Sequence, residues 1–272
     1  MTGLRHILIA FGLCVATGGV ALAEPSGLIR LTDRDDLFGW EAVGRVDIGA
    51  SGFCTGVLIA PDQVLTAAHC LYDPAGQSLP VEMLRFRSGL RDGVAIAESQ
   101  VIRYAAARGY DPGAGMSADN VRQDAALLEL AMPIQSALAA PFRLHESPRA
   151  GQRVSVVSYG QNRDSAPSWQ RDCGLLWRAE GLMAFDCNVI FGSSGAPVFV
   201  REGGRARILS LVSGGNWQAD DKIAIGMDLP ALVDDLKRDL RVMQTAPAAG
   251  TGFRRSQAGD GARASGAKFA RP

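Results

Sequence analysis

The 272-residue sequence predicts an all-β fold, a sandwich or a barrel, and three observations carry that expectation. About ten short runs, apolar or alternating, are separated by glycine, proline and aspartate turns. Helical spacing is almost missing between residues 40 and 228. No strands alternate with helices, which argues against a βαβ design. A hydrophobic content of 47% supplies enough apolar side chains for a core, which excludes global disorder.

Residues 24–36 are polar and without period, an extended arm. Patterning starts at Trp40. Residues 43–50 alternate, and 52–59 run from glycine-rich to apolar; both read as strands. Pro61-Asp62 turns the chain into a further strand over 63–68. Residues 71–79, with Pro74 and Gly76, form a surface loop. Residues 83–87 alternate, 89–93 turn, and 94–97 and 100–104 follow as strands. Residues 108–120 are a long loop rich in Gly, Pro and Asp. Residues 125–130 are largely apolar, as a buried strand is. Residues 153–159, 182–185, 196–200, 206–213 and 223–227 complete the set. Residues 229–242 differ. Pro230 stands near the start and Leu232, Val233, Leu236 and Leu240 share one face, which predicts an amphipathic helix.

Residues 1–23 have the parts of a secretory signal peptide. Arg5 and His6 make a short positive start, 7–15 an apolar run, and Ala21-Leu22-Ala23 an A-x-A cleavage site. The run is too short to span a bilayer as a helix. A lipoprotein reading would use Cys14, but Leu13 stands where that motif needs a small residue. The mature chain is expected to start at Glu24, without a membrane anchor, in the periplasm or outside the cell. The expected division is a signal peptide (1–23), an N-terminal arm (24–37), one folded domain (38–242) and a disordered basic tail (243–272). Net charge is zero over the whole chain, so neither nucleic acid nor an anionic membrane is an expected partner. Setting aside the two ends leaves 22 positive and 27 negative residues, a mildly acidic folded part.

Loss of the signal peptide removes Cys14 and leaves Cys54, Cys70, Cys173 and Cys187. An even count in an exported chain predicts two disulfides, with three possible pairings. The sequence-local pairing, Cys54–Cys70 with Cys173–Cys187, closes two loops worth about 3 kcal/mol each. A zinc site is disfavoured, because there is no C-x-x-C pair and only His69 and His145 remain. No metal or cofactor is expected; the acidic pair Asp220-Asp221 reads as a solvated surface feature.

The chemistry centres on residues 191–197, F-G-S-S-G-A-P. Glycines around a serine allow a sharp turn with an exposed hydroxyl and backbone N–H groups free to face a substrate carbonyl. His69 ends the run T-A-A-H-C, where an apolar strand and a cysteine hold its backbone; His145 lies in a polar connection. The T-A-A-H-C run, with C-T-G-V-L-I at 54–59, resembles the histidine motif of the chymotrypsin-like serine proteases. G-S-S-G-A-P at 192–197 is similar to that family's G-D-S-G-G-P, and D-A-A-L-L at 124–128 to its D-I-A-L-L. The order His, Asp, Ser is also the family's. V-S-Y-G at 157–160 and L-V-S-G-G at 211–215 are weaker matches, so that the resemblance spans residues 38–242.

The resemblance implies two six-stranded antiparallel β-barrels with a C-terminal α-helix. It implies His69, Asp124 and Ser194 as a catalytic triad and the N–H groups of Gly192 and Ser194 as an oxyanion hole. Ser213, Gly214 and Gly215 become a substrate-binding edge strand, and Asn188 the residue at the pocket base. The implied partner is a polypeptide substrate, and a monomer is the expected state. An α/β-hydrolase elbow does not fit, because Ala196 stands where glycine is needed and the histidine comes first. Ser193 replaces the aspartate that, in trypsin-type members, pairs with a new N-terminal amine. The chain therefore resembles bacterial glutamyl-endopeptidase-like members more than trypsin, and activity without such cleavage is expected.

Overall fold

Two β-structures packed on one seam carry the chain, and the first follows the alternation read at residues 43–66. In the computed structural model residues 27–245 are described, apart from residues 51, 147–148, 150, 203 and 217–221. The signal-peptide reading, the Asp220-Asp221 pair and the tail beyond residue 245 lie outside the described residues.

The arm is more ordered than its polarity predicts. β1 (Leu28–Arg30) pairs with a later strand, and α1 (Arg34–Leu37) is a single helical turn. Leu31 and Leu37 explain this, since both are almost wholly buried. Next come β2 (Val43–Ile48), β3 (Gly52–Ala60), β4 (Gln63–Thr66), β5 (Leu84–Ser88) and β6 (Ala97–Ala106). The long loop before residue 120 contains a short helix, α2 (Ala118–Arg122), capped by the Ser117 hydroxyl accepting from the Asn120 N–H. β7 (Ala126–Leu130) follows, and β2-β3-β4-β7-β6-β5 closes as a six-stranded antiparallel barrel. Val46, Leu58, Val64, Phe86, Val101 and Leu128 fill it. β7 is buried throughout, and its Leu127 faces the opposite way, into the seam.

The second half contains β8 (Arg153–Ser158), β9 (Ser168–Ala179), β10 (Leu182–Phe185), β11 (Pro197–Glu202), β12 (Arg205–Leu211), β13 (Gly214–Asn216) and β14 (Ile223–Met227). It departs from the expected six-stranded barrel. It is one eight-stranded sheet, β12-β11-β8-β9-β10-β14-β13, with β1 added on β9. Its ladders do not join β12 to β14; a side chain does. The Ser210 hydroxyl donates to the Met227 carbonyl at 2.8 Å and accepts the Met227 N–H at 2.9 Å. β9 had no sequence expectation, although it pairs with β8, β10 and β1.

Trp40, Val57, Leu127, Phe199, Ile208 and Met227 join the two halves in one buried cluster. The Trp40 ring lies against those of Phe142, Trp169 and Phe199. α3 (Pro230–Thr245) ends the described chain, three residues beyond its expected end. Val233, Leu236 and Leu240 form its buried stripe, which rests on β6 and β7 of the first half. Both disulfides have the sequence-local pairing, Cys54–Cys70 and Cys173–Cys187. The sulfurs beside His69 and beside Asp186 are thus committed to disulfides, which leaves neither group a free thiolate for a metal.

Candidate active site

A cleft of about 820 Å³ runs along the seam, and His69, Asp124, Ser194, Gly192, Ser213, Gly214 and Gly215 all line it. Asn188 does not. Its N–H donates to the Gln170 side chain at 2.6 Å and its Oδ1 accepts from Lys222 at 3.4 Å. His145 is also away from the cleft, buried in the connection between halves with its N–H on the Ile208 carbonyl.

Each site residue follows directly on a rigid element. β4 ends at Thr66, and His69 lies in a 3-10 turn over Ala68–Leu71 that Cys70 ties to Cys54 on β3. Asp124 follows α2 and leads into β7; its N–H bonds the Val121 carbonyl at 3.2 Å. The loop before it is knitted by Asn120, which exchanges hydrogen bonds with Asp111 and donates to the Gly115 carbonyl.

Asp124 is only 3% exposed, and three donors meet its carboxylate. The His69 backbone N–H reaches Oδ1 at 2.9 Å. Oδ2 faces His69 Nδ1 at 2.8 Å and accepts the Ser213 hydroxyl at 2.5 Å. These contacts fix both the backbone and the ring of His69, and a proton on Nδ1 leaves Nε2 as an acceptor toward the cleft. Ser194 lies in the same cleft, half-buried, with no hydrogen bond to His69 among the described residues. The Tyr110 phenol on the cleft wall is pushed up to about 12, first by burial and then by the nearby Asp124, so it stays neutral.

The serine turn docks straight onto the first barrel. Thr55 donates its N–H to the Ser194 carbonyl at 2.9 Å and its hydroxyl to the Gly192 carbonyl at 2.9 Å. Thr66 in turn holds the Thr55 carbonyl at 2.8 Å. Gly195 has φ +75°, and a Cβ there would lie 2.3 Å from Thr66 Oγ1 and 2.4 Å from the Thr55 carbonyl. Gly192 has φ +91°, and a Cβ there would strike the Phe53 ring at 2.3 Å. Only glycine satisfies both the turn and the contact at these positions. Neither the Gly192 nor the Ser194 N–H donates to another described residue.

Ser193 points away from the cleft and is wholly buried. Its hydroxyl lies 3.1 Å from the Tyr159 carbonyl and accepts from Arg163 at 2.9 Å. Arg163 also donates to the Ser158 carbonyl at 2.6 Å and the Ser158 hydroxyl at 3.0 Å. No carboxylate meets Arg163 among the described residues, and burial pulls its pKa down to about 10. A charged donor thus stands where the resemblance pairs an aspartate with an amine. Arg163, Thr55 and Thr66 were not among the expected site residues. The threonines stand inside the two motif runs, but Arg163 has no sequence mark.

The fold and the cleft are those of trypsin-like peptidases, and a family model supports this directly. Residues 54–206, more than half of the chain, match the trypsin-like peptidase domain, and the chain belongs to that family. Among curated proteins it is similar to the glutamyl endopeptidase of Bacillus licheniformis, with 26% identity over 157 residues. That alignment covers 57% of this chain and 47% of the relative, so the chain spans about half the length of that relative. Two solved structures share the fold. One is a Glu endopeptidase in complex with MPD, with TM-score 0.65, 16% identity, and 79% of this chain and 97% of the other covered. The other is the thermostable serine protease AL20 from an extremophilic microorganism, with TM-score 0.62, 16% identity, and 74% and 97% covered.

Proposed function

We propose that this protein is an exported serine endopeptidase that cleaves polypeptides through an acyl-enzyme intermediate. The observation that carries the reading is the double grip of Asp124 on His69, at 2.9 and 2.8 Å, in a cleft shared with Ser194. A serine hydroxyl is a weak nucleophile until a base takes its proton. His69 Nε2 removes that proton as Ser194 Oγ attacks the substrate carbonyl carbon. Asp124 keeps the imidazole in the required tautomer and stabilises its cation. The N–H groups of Gly192 and Ser194 bind the oxyanion that forms, each worth about 3–4 kcal/mol where such donors have been removed. Imidazolium then protonates the departing amine, which leaves an ester on Ser194. Water, deprotonated by His69, attacks that ester and releases the acid and the free serine.

Gly214 and Gly215 lie on β13, which ends the sheet and pairs only with β14 among the described residues. Its free edge is suited to pair with an extended substrate backbone. Export rests on the reading of residues 1–23 as a signal peptide, and two disulfides suit an oxidising compartment. The working division remains signal peptide, arm, protease domain over 38–242 and basic tail. A second reading, an inactive binding protein on this fold, draws on the missing hydrogen bond between Ser194 and His69. Such bonds are often long in empty sites and tighten with substrate. The test is hydrolysis of unfolded casein by chain starting at Glu24, beside Ser194→Ala. Cleavage lost by at least ~1000-fold in the variant supports the enzyme; equal rates in both, or none in either, refute it.

A further inference from the structure

Beside Ser194 two stretches of chain, residues 189–192 and 212–215, line one part of the cleft, called the slot below. Val189 and Val212 are part of its apolar lining. Both are almost wholly buried and belong to the core of the second half, so this part of the lining is fixed by packing. Val189 reaches across: a Cβ placed on Gly215 would lie 3.2 Å from Val189 Cγ2. The same Cβ would lie 2.3 Å from the Ile223 carbonyl, so Val189 and β14 together leave no room for a side chain at Gly215.

The described residues also give the slot no counter-charge. Among the described residues, the ionisable groups on the cleft wall are His69, Asp124 and Tyr110. Asp124 already meets three donors, and Tyr110 stays neutral. Among the described residues no lysine or arginine lines the cleft; Lys222 lies against Asn188, and neither residue reaches the lining. Among these described groups a carboxylate entering the slot would lose its hydration without gaining a cation, and an ammonium would find no free carboxylate.

From the packed valine lining and the missing charges among the described residues we infer that the slot takes a small or medium uncharged side chain, with Val189 setting its depth. This rests on the endopeptidase reading and separates the chain from a glutamate-selective enzyme. The first residue on the acyl side of the scissile bond is then Ala, Val or Leu rather than Glu, Lys or Phe.

The experiment uses internally quenched peptides of one sequence that differ only at that residue, with Ala, Val, Leu, Phe, Glu or Lys. They are cut by the wild type and by Val189→Ala, and a fluorophosphonate reports separately on Ser194. For the wild type, kcat/KM for the best of Ala, Val and Leu is expected to exceed that for Glu and Lys by at least ~100-fold. Val189→Ala, which removes two methyl groups from the slot, is expected to raise the Phe-to-Ala ratio by about tenfold or more. A wild-type preference for Glu, Lys or Phe overturns the inference, and so does a folded Val189→Ala with an unchanged ratio. If the variant does not fold, the wild-type series decides alone. Labelling of Ser194 with no uncharged peptide cut refutes the slot assignment but keeps the enzyme. No labelling and no cleavage overturn both.

Discussion

Arg163→Met perturbs the half-buried cation that holds the serine turn, and its effect can be worked from the contacts. The guanidinium makes three hydrogen bonds, to the Ser158 carbonyl, the Ser158 hydroxyl and the Ser193 hydroxyl. Hydrogen bonds from a charged donor contribute about 1.5–3 kcal/mol each, roughly 5–9 in total. Burial opposes them. A pKa brought down to about 10 corresponds to roughly 3 kcal/mol against the charged form. Methionine removes both terms, so the expected net loss is about 2–6 kcal/mol. Ser193 adjoins Ser194, so the loss is local to the turn that carries the proposed oxyanion donors. We expect kcat to fall at least ~10-fold with KM nearly unchanged, as for an interaction made in the transition state. Urea denaturation gives the stability and steady-state kinetics on a peptide give the split. Arg163→Lys keeps a charge but loses the planar fork, and recovers part of both. A Met variant with wild-type kcat and stability within ~0.5 kcal/mol would refute the clamp.

Two further outcomes follow from the same contacts. Cys54→Ser with Cys70→Ser opens a loop of sequence separation 16 and should cost about 3 kcal/mol in urea denaturation. Because Cys70 adjoins His69, this pair should also lower kcat more than Cys173→Ser with Cys187→Ser does. Glu129 bonds Arg103 and Gln244 of α3. Burial pushes its carboxyl up, but those hydrogen bonds and the Arg103 charge outweigh burial and hold it below the usual range. The unfolded chain then binds this proton more readily, so the stabilisation is complete above about pH 4.5 and is lost as pH falls through the lower folded value. Glu129→Gln should flatten that acid limb of the stability curve; an unchanged limb counts against the role of Glu129.

The residues that meet in the candidate site were largely legible because they sit in short local runs. T-A-A-H-C and G-S-S-G-A-P keep histidine and serine beside the strand ends and glycines that hold them, and Gly192 and Gly195 lack the Cβ that would strike Phe53 and Thr66. Residues 125–130 read correctly as a buried strand. β9 did not read at all: Arg171, Asp172 and Arg178 interrupt its apolar residues, and three neighbouring strands, not its own pattern, hold it extended. β1 is three residues long and takes its stability from β9. The joining of β12 to β14 through one hydroxyl, and the placing of Arg163 behind Ser193, depend on contacts between segments far apart in sequence. Nothing local marks either.

The central claim is that Ser194 is an activated nucleophile in the chain as it leaves the signal peptide. Protein starting at Glu24, incubated with a fluorophosphonate and analysed by intact mass and peptide mapping, tests this most directly. The account predicts one adduct per chain, on Ser194, formed without prior proteolysis and greatly slowed in His69→Ala. An unmodified Ser194 in folded protein, or an adduct that forms only after a protease has trimmed the chain, would contradict it.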